Sequence, residues 1–234
     1  MSYGTPMAGA IIIGVGPGIG TSVARRFAAA GMPLGLIART AATLEAARAA
    51  VAATGVMVTG ATADAGRDDQ LTAALDVLTG QLGVPGALIY NAGLIRRDRP
   101  GELSRERQIA AYAVNVLGAI AAAVHLAPAM AGAGGGTIVI TGGMPEPDPA
   151  FTSLSLGKAG VRALTTLLAS EYGPAGVHVA TVTVGGAVAP GGPYDPDQIA
   201  EHYWRLHTQP PQAWEHEVIA GEALNDFGPA EGPG

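Results

Sequence analysis

Residues Ala10 to Gly20 read AIIIGVGPGIG, an apolar, β-branched run that passes directly into four alternating glycines. The isoleucines suit a strand buried on both faces, and Thr21 to Ala30 continues as an amphipathic helix. A helix that begins near Gly18 points free N–H groups and its positive dipole end at an anion. Glycines also let a pyrophosphate approach the backbone, although a plain strand-to-helix turn explains a glycine cluster equally well.

The spacing of the glycines can be compared with the known patterns of phosphate-binding loops. Gly14, Gly18 and Gly20 form a G-x-x-x-G-x-G pattern, which differs from the common G-x-G-x-x-G dinucleotide fingerprint. It also lacks the Gly-Lys-Ser/Thr ending of a Walker A loop, which argues against phosphoryl transfer from a mononucleotide.

Length and composition predict one compact domain. With 234 residues and 48% hydrophobic content, residues 1–226 can form a single dinucleotide-binding domain, and residues 227–234, rich in Gly and Pro, form a flexible tail.

The net charge of −6 argues against nucleic-acid binding. Cysteine is absent, which excludes disulfides and thiolate chemistry. The N-terminal stretch does not resemble a signal peptide, so we expect a cytoplasmic protein.

One uncharged segment is long enough to span a bilayer. Ile109 to Met130 contains no Asp, Glu, Lys or Arg. Asn115, His125 and Pro128 weaken a membrane interpretation, and the segment lies between two predicted strands. We therefore expect a buried helix and no membrane partner.

Predicted strands and helices alternate along the chain. This order predicts an α/β fold, a doubly wound Rossmann-type sandwich of three layers around a parallel sheet of six to seven strands. A ligand of such a sheet lies at the carboxyl ends of the strands, where the glycine turn is found. The predicted strands are Ile11 to Val15, Leu34 to Ala38, Val56 to Ala61, Ala87 to Tyr90, Thr137 to Thr141 and Val177 to Val184. The predicted helices are Thr21 to Ala30, Ala42 to Ala53, Asp68 to Leu82, Arg105 to Met130 and Ser155 to Tyr172.

The end of the second predicted strand indicates which cofactor is bound. Chains that prefer NAD usually carry an acidic residue there for the ribose hydroxyls, whereas this sequence continues Ala38-Arg39-Thr40. A carboxylate would repel a 2′-phosphate, and the Arg39 guanidinium can bind one through charge-assisted hydrogen bonds. The sequence therefore favours NADP(H), the alternative being that Arg39 is a solvated charge beside the helix.

These features together resemble the short-chain dehydrogenase/reductase family over about Ala10 to Gly186. The resemblance implies that the glycine turn is the cofactor loop, that Asp64 lies beside the adenine and that Asn115 joins a proton relay. Val184-Gly185 matches the family's Pro-Gly only in part. The cofactor-binding residues expected are Gly14, Gly16, Pro17, Gly18, Ile19, Gly20, Arg39, Thr40, Asp64, Asn91, Ala92, Gly93, Lys158 and Gly185.

The catalytic pattern departs from that family. There, a Ser closes the fifth strand and a Tyr-x-x-x-Lys pair opens the next helix. Lys158 matches, but Leu154 occupies the Tyr position, and the Ser position falls on Gly143 or, counted back from Leu154, on Thr141. Carbonyl reduction leaves an alkoxide that needs a proton donor, and Leu154 cannot be one.

A replacement proton donor is sought among nearby hydroxyls. Ser155 shares a helical face with Lys158, and Tyr194 can approach from the substrate loop at Ala189 to Pro196. Thr141 is a further candidate. Lys158 is the only lysine of the chain, and its compact ammonium suits ribose hydroxyls better than an arginine would, unless it is simply a solvated charge.

Three functions fit these residues. The first is an atypical NADP(H)-dependent oxidoreductase for a small carbonyl or imine. The second is an inactive NADP(H)-binding sensor or partner subunit, and the third a non-redox lyase or isomerase. Glu146 and Asp148 near the site favour a neutral or cationic small-molecule substrate. We expect no metal site, because no metal-binding motif is present.

Assembly is predicted from apolar helices. The helices Ile109 to Met130 and Ser155 to Tyr172 offer more apolar surface than one sheet face covers, and in the resembled family the equivalent helices form a subunit interface. We therefore expect a homodimer or homotetramer.

Overall fold

The computed structural model describes residues 8–221. The predicted domain limit at residue 226 and the tail at residues 227–234 lie outside this range.

A seven-stranded, wholly parallel sheet forms the centre of the molecule. The strands Ala10–Ile13, Leu34–Ala38 and Ala87–Tyr90 at its centre are apolar and fully buried, and they pair in continuous register, as expected for a sheet covered on both faces. The predicted fold class is confirmed. The strands are β1 (Ala10–Ile13), β2 (Leu34–Ala38), β3 (Val58–Thr62), β4 (Ala87–Tyr90), β5 (Gly136–Gly143), β6 (Val177–Val184) and β7 (Glu217–Ala220). Their order across the sheet is β3-β2-β1-β4-β5-β6-β7.

Helices cover both faces of this sheet. One core cluster joins residues such as Ile12 and Leu36 to Phe27 and Tyr203, and the other joins Ile11 to helices on the opposite face. Burial of alternate strand residues on the two faces thus makes three layers. The helices are α1 (Ile19–Ala29), α2 (Ala41–Val51), α3 (Asp68–Leu82), α4 (Arg105–Tyr112), α5 (Gly118–Gly132), α6 (Thr152–Tyr172) and α7 (Pro196–Thr208). Short 3₁₀ turns lie at Ala52–Thr54, Gly173–Ala175 and Pro211–Ala213.

The predicted helix from Arg105 to Met130 is not a continuous α-helix. A π-helical turn at Ala113–Leu117 separates α4 from α5. The Tyr90 hydroxyl donates a hydrogen bond to the Val114 carbonyl (2.5 Å) in this turn, and Gly118 leaves room for the phenol. Burial raises the pKa of Tyr90, so this phenol stays protonated and continues to donate.

The run from Arg105 to Gly132 is long and apolar enough to cross a membrane, and half of its most apolar window is buried inside the fold. Its inward face packs against the sheet and α3 through Ala119, Ala122, Ala123, Leu126, Ala127 and Met130. The segment thus serves as a core helix of this domain.

The order of strands places the candidate site. The chain moves outward from β1 to β2 and β3, then returns to the other side of β1 with β4. At such a reversal the following loops diverge and leave a crevice at the carboxyl ends of the strands. The glycine turn after β1 and the Asn91-Ala92-Gly93 segment after β4 both lie at this crevice.

Candidate active site

A cleft of about 1500 Å³ runs along the carboxyl ends of the strands. The glycine turn and the starts of α1 and α2 line one end. The other end is lined by the segment that follows β5, the first turns of α6 and the residues that follow β6. Its volume exceeds that of a typical small-ligand pocket, so it can hold a dinucleotide and a substrate together.

The glycines of the turn have two different roles. Gly14 has φ +91°, and a Cβ there would lie 2.6 Å from the Ala92 nitrogen. A Cβ on Gly20 would overlap the Gly14 carbonyl oxygen, so both glycines are required by the approach of backbone to backbone. A Cβ on Gly16 would meet nothing within 4 Å, and Gly18, at φ +104°, faces only Val188 at 3.9 Å. An open cradle therefore lies at the amino end of α1 and suits a phosphate.

A buried polar network connects this turn to three other elements. The Asn91 side chain donates to the Gly14 carbonyl (2.8 Å) and accepts from the Thr141 hydroxyl (2.9 Å). Because Thr141 donates its one proton to Asn91, the Tyr203 hydroxyl of α7 must donate to Thr141 across 2.6 Å. Burial raises the pKa of Tyr203, which keeps that donor protonated. The hydroxyl of Thr141 is thus used for structure.

Lys158 lies in the wall of the cleft, and its side chain is almost wholly buried, at 8% exposure. Its Nζ donates a hydrogen bond to the Thr141 carbonyl oxygen (2.7 Å). Burial lowers the pKa of the Lys158 ammonium to about 8. An ammonium has three donors, so two remain for a ligand after the bond to Thr141.

The amino end of α6 is fixed by a residue far away in sequence. The carboxylate of Asp98 accepts hydrogen bonds from the Ser153 nitrogen (3.0 Å) and hydroxyl (2.7 Å). It thereby satisfies a free N–H of the first turn, as a capping residue does. Leu154 and Lys158 lie one turn apart on the face of α6 that lines the cleft, and Leu154 is 7% exposed.

The segment after β5 is held by Arg162. Its guanidinium donates to the carbonyls of Gly143 (3.1 Å) and Met144 (2.5 Å), and Met144 has φ +49°. Among residues 8–221, Met144 is the only non-glycine residue with positive φ. Its side chain lines the cleft, which is where strained residues tend to occur.

Two predicted proton donors, Ser155 and Tyr194, are not among the residues that line the cleft. The Ser155 hydroxyl accepts from the Asp148 nitrogen (3.1 Å) and donates to the Asp148 carbonyl (3.3 Å), and it does not line the cleft. The Tyr194 ring packs over Gly185 and Gly186 beside β6 instead of entering the cleft. The geometry therefore argues against both as acids, because each side chain is occupied by packing or by hydrogen bonds within the protein.

Two further predicted residues, Asn115 and Asp64, form hydrogen bonds with nearby backbone. Asn115 lies in the π-helical turn, and its side chain accepts from the Leu94 nitrogen (2.8 Å) and donates to the Leu94 carbonyl (3.3 Å), so it supports the segment after Gly93. Asp64 accepts from the Gly66 nitrogen (2.9 Å). Its position beside an adenine remains a prediction, as does the proton relay for Asn115.

Arg39 and Thr40 follow β2 directly. Arg39 is exposed, and within residues 8–221 it makes no hydrogen bond or ion pair. The Thr40 hydroxyl caps α2 by accepting from the Thr43 nitrogen (3.2 Å), and Thr43 lines the cleft. Both residues thus lie beside the end of the cleft that contains the glycine turn.

Tyr203, Asp98 and Arg162 were not predicted from the sequence, because each contacts a partner well separated from it in the chain. A lone buried Tyr, Asp or Arg has no local pattern that predicts its partner. By contrast, the structure places Glu146 and Asp148 in the lining of the cleft, as their position after β5 indicated.

The cleft residues fit a dinucleotide that carries nicotinamide. The cradle at Gly16 and Gly18 is open at the amino end of α1, where helix N–H groups suit a phosphate, and Lys158 has two further donors in the cleft wall.

Comparisons with known proteins agree with this geometry. Residues 8–192 match the family model described as short chain dehydrogenase. A galactitol 2-dehydrogenase (L-tagatose-forming) of Cereibacter sphaeroides is 34% identical over 187 residues, which are 78% of this chain and 70% of that protein. A short-chain dehydrogenase/reductase of Armillaria gallica is 27% identical over 92% of this chain and 81% of its own length.

Solved structures agree in fold. A short-chain dehydrogenase from Rhodopseudomonas palustris has TM-score 0.82 and 26% identity, with 91% of this chain and 97% of that one covered. A metagenomic short-chain oxidoreductase in complex with NADP has TM-score 0.84 and 25% identity, with coverage of 92% and 97%. Since the family model spans most of the sequence and the fold and cleft agree with it, the chain belongs to the short-chain dehydrogenase family.

Proposed function

We propose that this protein is an NADP(H)-dependent oxidoreductase that transfers hydride to or from a small carbonyl or imine carbon without a tyrosine acid. NADP(H), when bound, supplies or accepts the hydride. Lys158 holds the ribose hydroxyls through its free N–H groups, and the glycine turn holds the pyrophosphate. The apolar side chains of Met144, Phe151 and Leu154 exclude water from the reacting end of the cleft.

The composition of the cleft wall carries this proposal. Among the described residues, the wall contains only four ionisable side chains, which are Arg25, Glu146, Asp148 and Lys158. None is a tyrosine or a histidine, and Leu154 stands one turn before Lys158. The reacting end therefore favours a substrate that needs no strong protein acid.

Imines meet that requirement better than ketones. A ketone that accepts hydride becomes an alkoxide and must be protonated as the hydride arrives. An imine that is already protonated becomes a neutral amine and needs no further proton. The carboxylates of Glu146 and Asp148 in the lining favour such a cation over an anion.

The relatives support the cofactor more than the substrate. One solved neighbour binds NADP, and this chain carries Arg39 where an acid would select NAD. The galactitol dehydrogenase acts on a polyol, whereas the end of this cleft near Leu154 is mainly apolar and offers few donors for several hydroxyls. We therefore propose a compact substrate whose carbon skeleton is apolar apart from the reacting carbonyl or imine group.

Turnover tests the proposal. We expect NADPH consumption with 2-methyl-1-pyrroline to exceed that with cyclopentanone by on the order of 10² or more, because general acid catalysis contributes at least that much to ketone reduction. The two rings match in size, and absorbance of NADPH measures both. If calorimetry shows NADPH binding but neither ring is reduced, the sensor or partner-subunit function replaces this one.

A homodimer or homotetramer is the second proposal. Six large apolar side chains on α4, α5, α6 and the π-helical turn are exposed in the single chain, and Leu156 is 63% exposed. An apolar face of this kind normally marks an interface. We expect light scattering at micromolar concentration to give a multiple of the chain mass. These side chains are Ile109, Tyr112, Leu117, Val124, Leu156 and Leu167.

Two charge substitutions locate the interface. Leu156→Glu should reduce the mass by half or more, since it buries a carboxylate in the contact. Met57→Glu, at 54% exposure before β3, is the matched control and should leave the mass unchanged. A monomeric wild-type protein contradicts the proposal.

A further inference from the structure

We propose that Lys158 is an imine-forming amine, which condenses with small apolar aldehydes when the cofactor is absent from the cleft. This reaction goes beyond the proposed hydride transfer, since it involves no nicotinamide. It assigns to the cleft a covalent binding site for a carbonyl compound.

The position of the amine supports a nucleophilic role. Nζ is held by one hydrogen bond to the Thr141 carbonyl oxygen (2.7 Å), and the side chain forms part of the cleft wall. A neutral amine retains two N–H groups and can still donate that bond, although more weakly than an ammonium, and its lone pair then remains free. No carboxylate within residues 8–221 lies in ion-pair distance of Nζ, so nothing described neutralises the charged form.

The two departures from the family's catalytic pattern leave this amine in apolar surroundings. Leu154 lies one turn before it, where the family has a phenol. Gly143 has no side chain, and a Cβ there would lie 3.6 Å from the Lys158 Cε. Both hydroxyl neighbours expected of the family are thus absent, and Lys158 forms part of the cleft wall beside them.

The charged side chains near the Lys158 amine do not stabilise its protonated form. Glu146 is exposed, and Asp148 accepts hydrogen bonds within its own loop, including one from the Ala150 nitrogen (2.8 Å). Arg162 points to the carbonyls of Gly143 and Met144 and pairs with Glu217 at 3.4 Å. None of these side chains forms a contact that would hold Lys158 as an ammonium.

Burial without a counter-charge favours the neutral amine. Burial lowers the pKa of Lys158 to about 8. At pH 7 roughly one tenth of the amine is then neutral, compared with on the order of a few in ten thousand for an ordinary lysine. A lysine desolvated in an apolar pocket is a recognised activated nucleophile.

The step is a condensation that balances without an oxidant or reductant. The nitrogen lone pair forms a bond to the carbonyl carbon, and the π electrons of the C=O bond move to oxygen. A proton passes from nitrogen to oxygen to give a carbinolamine. Protonation of that hydroxyl releases water as the C=N bond forms, which leaves a protonated imine on Nζ.

The test uses butanal and borohydride, which fixes an imine as a butyl group on the amine. Lys158 is the only lysine, so an endoprotease that cuts after lysine cuts the native sequence once, and butylation blocks that cut. At pH 7 we expect labelling at least about tenfold faster than that of a lysine in an unstructured peptide, with the rate rising through pH 8.

Two controls test whether the label is on Lys158 and whether NADPH competes for the same amine. Lys158→Arg keeps the positive charge and should show label only at the Met1 amine, detected by peptide mass. Saturating NADPH should slow the labelling of wild-type Lys158 at least about tenfold, because the ribose hydroxyls and the aldehyde compete for one amine. The second control needs no variant and therefore does not depend on folding of the substituted protein.

The outcomes separate this inference from the proposed oxidoreductase. Labelling no faster than that of the peptide overturns it, even if NADPH binds and imines are reduced. Rapid labelling of a protein that binds no NADPH in calorimetry overturns the proposed function and leaves this inference standing.

Discussion

Leu154→Tyr is expected to raise the NADPH-dependent reduction of simple ketones by on the order of 10²- to 10⁴-fold, the usual contribution of a positioned general acid. The substituted phenol lies on the cleft face of α6, one turn before Lys158. An ammonium at that distance stabilises a phenolate and lowers the pKa of the phenol, which makes the phenol a stronger proton donor. The measurement is the steady-state rate with cyclopentanone and NADPH.

Leu154→Phe is the matched control for this substitution. It introduces the same ring without the hydroxyl, so any gain through packing alone appears in both variants. We expect Leu154→Phe to remain at the level of the parent. Equal gains in the two variants contradict a role for the phenol.

A second substitution should increase the gain. A Cβ on Gly143 would lie 3.3 Å from the Val184 carbonyl and 3.6 Å from the Lys158 Cε, so a serine fits there with a small adjustment. Leu154→Tyr with Gly143→Ser should therefore exceed the single variant, since the serine hydroxyl orients the substrate carbonyl. If both variants bind NADPH and remain inert, the substrate end of the cleft is also altered, and the binding-protein function gains support.

The sequence predicted the sheet because its signals are local. β1 and β2 are short apolar runs that end at glycine or at a charged residue, and such runs are typical of parallel strands buried on both faces. The strand boundaries were less accurate: β1 ends at Ile13 instead of Val15, β3 begins at Val58 instead of Val56, and β5 extends to Gly143 instead of Thr141. Glycines weaken strand signals, yet Gly142 permits the close approach of Thr183 in the neighbouring strand.

The break in the helix from Arg105 to Gly132 had no signal in the sequence. A π-helical turn inserts a residue without a proline or a glycine at its centre, and here the stabilising contact comes from Tyr90. Such a contact joins residues remote in sequence. The same applies to the Asp98 cap of α6.

Site residues could be predicted where a local sequence motif places them. They could not be predicted where their role depends on a contact with a residue from another segment of the chain. Lys158 and Gly18 follow from their positions beside recognisable patterns. Ser155 was considered a proton donor because it shares a helical face with Lys158, but the Asp148 backbone uses both hydrogen-bonding capacities of its hydroxyl. Helical periodicity indicates which side chains share a face of a helix, but it does not indicate which loop will pack against that face.

Arg39→Asp is expected to reverse the cofactor preference. The parent should bind NADPH at least about tenfold more tightly than NADH, which is about 1.4 kcal/mol. Arg39 is exposed directly after β2 and makes no ion pair within residues 8–221, so its guanidinium is available to a 2′-phosphate. An aspartate there repels that phosphate and accepts hydrogen bonds from the ribose hydroxyls of NADH.

The comparison of Arg39→Asp with Arg39→Gln separates the effect of losing the guanidinium from the effect of adding a carboxylate. Glutamine removes the guanidinium without adding a carboxylate, so NADPH should lose its advantage while NADH affinity stays near that of the parent. Aspartate should weaken NADPH further and strengthen NADH, which changes the ratio of the two affinities by about a hundredfold in total. Calorimetry measures the affinity of each variant for NADPH and for NADH. The parent's preference for NADPH should decrease as the salt concentration is raised, because salt screens an exposed ion pair. Equal affinities of the parent for the two cofactors would mean that Arg39 is only a solvated charge and that the cleft selects its dinucleotide by other contacts.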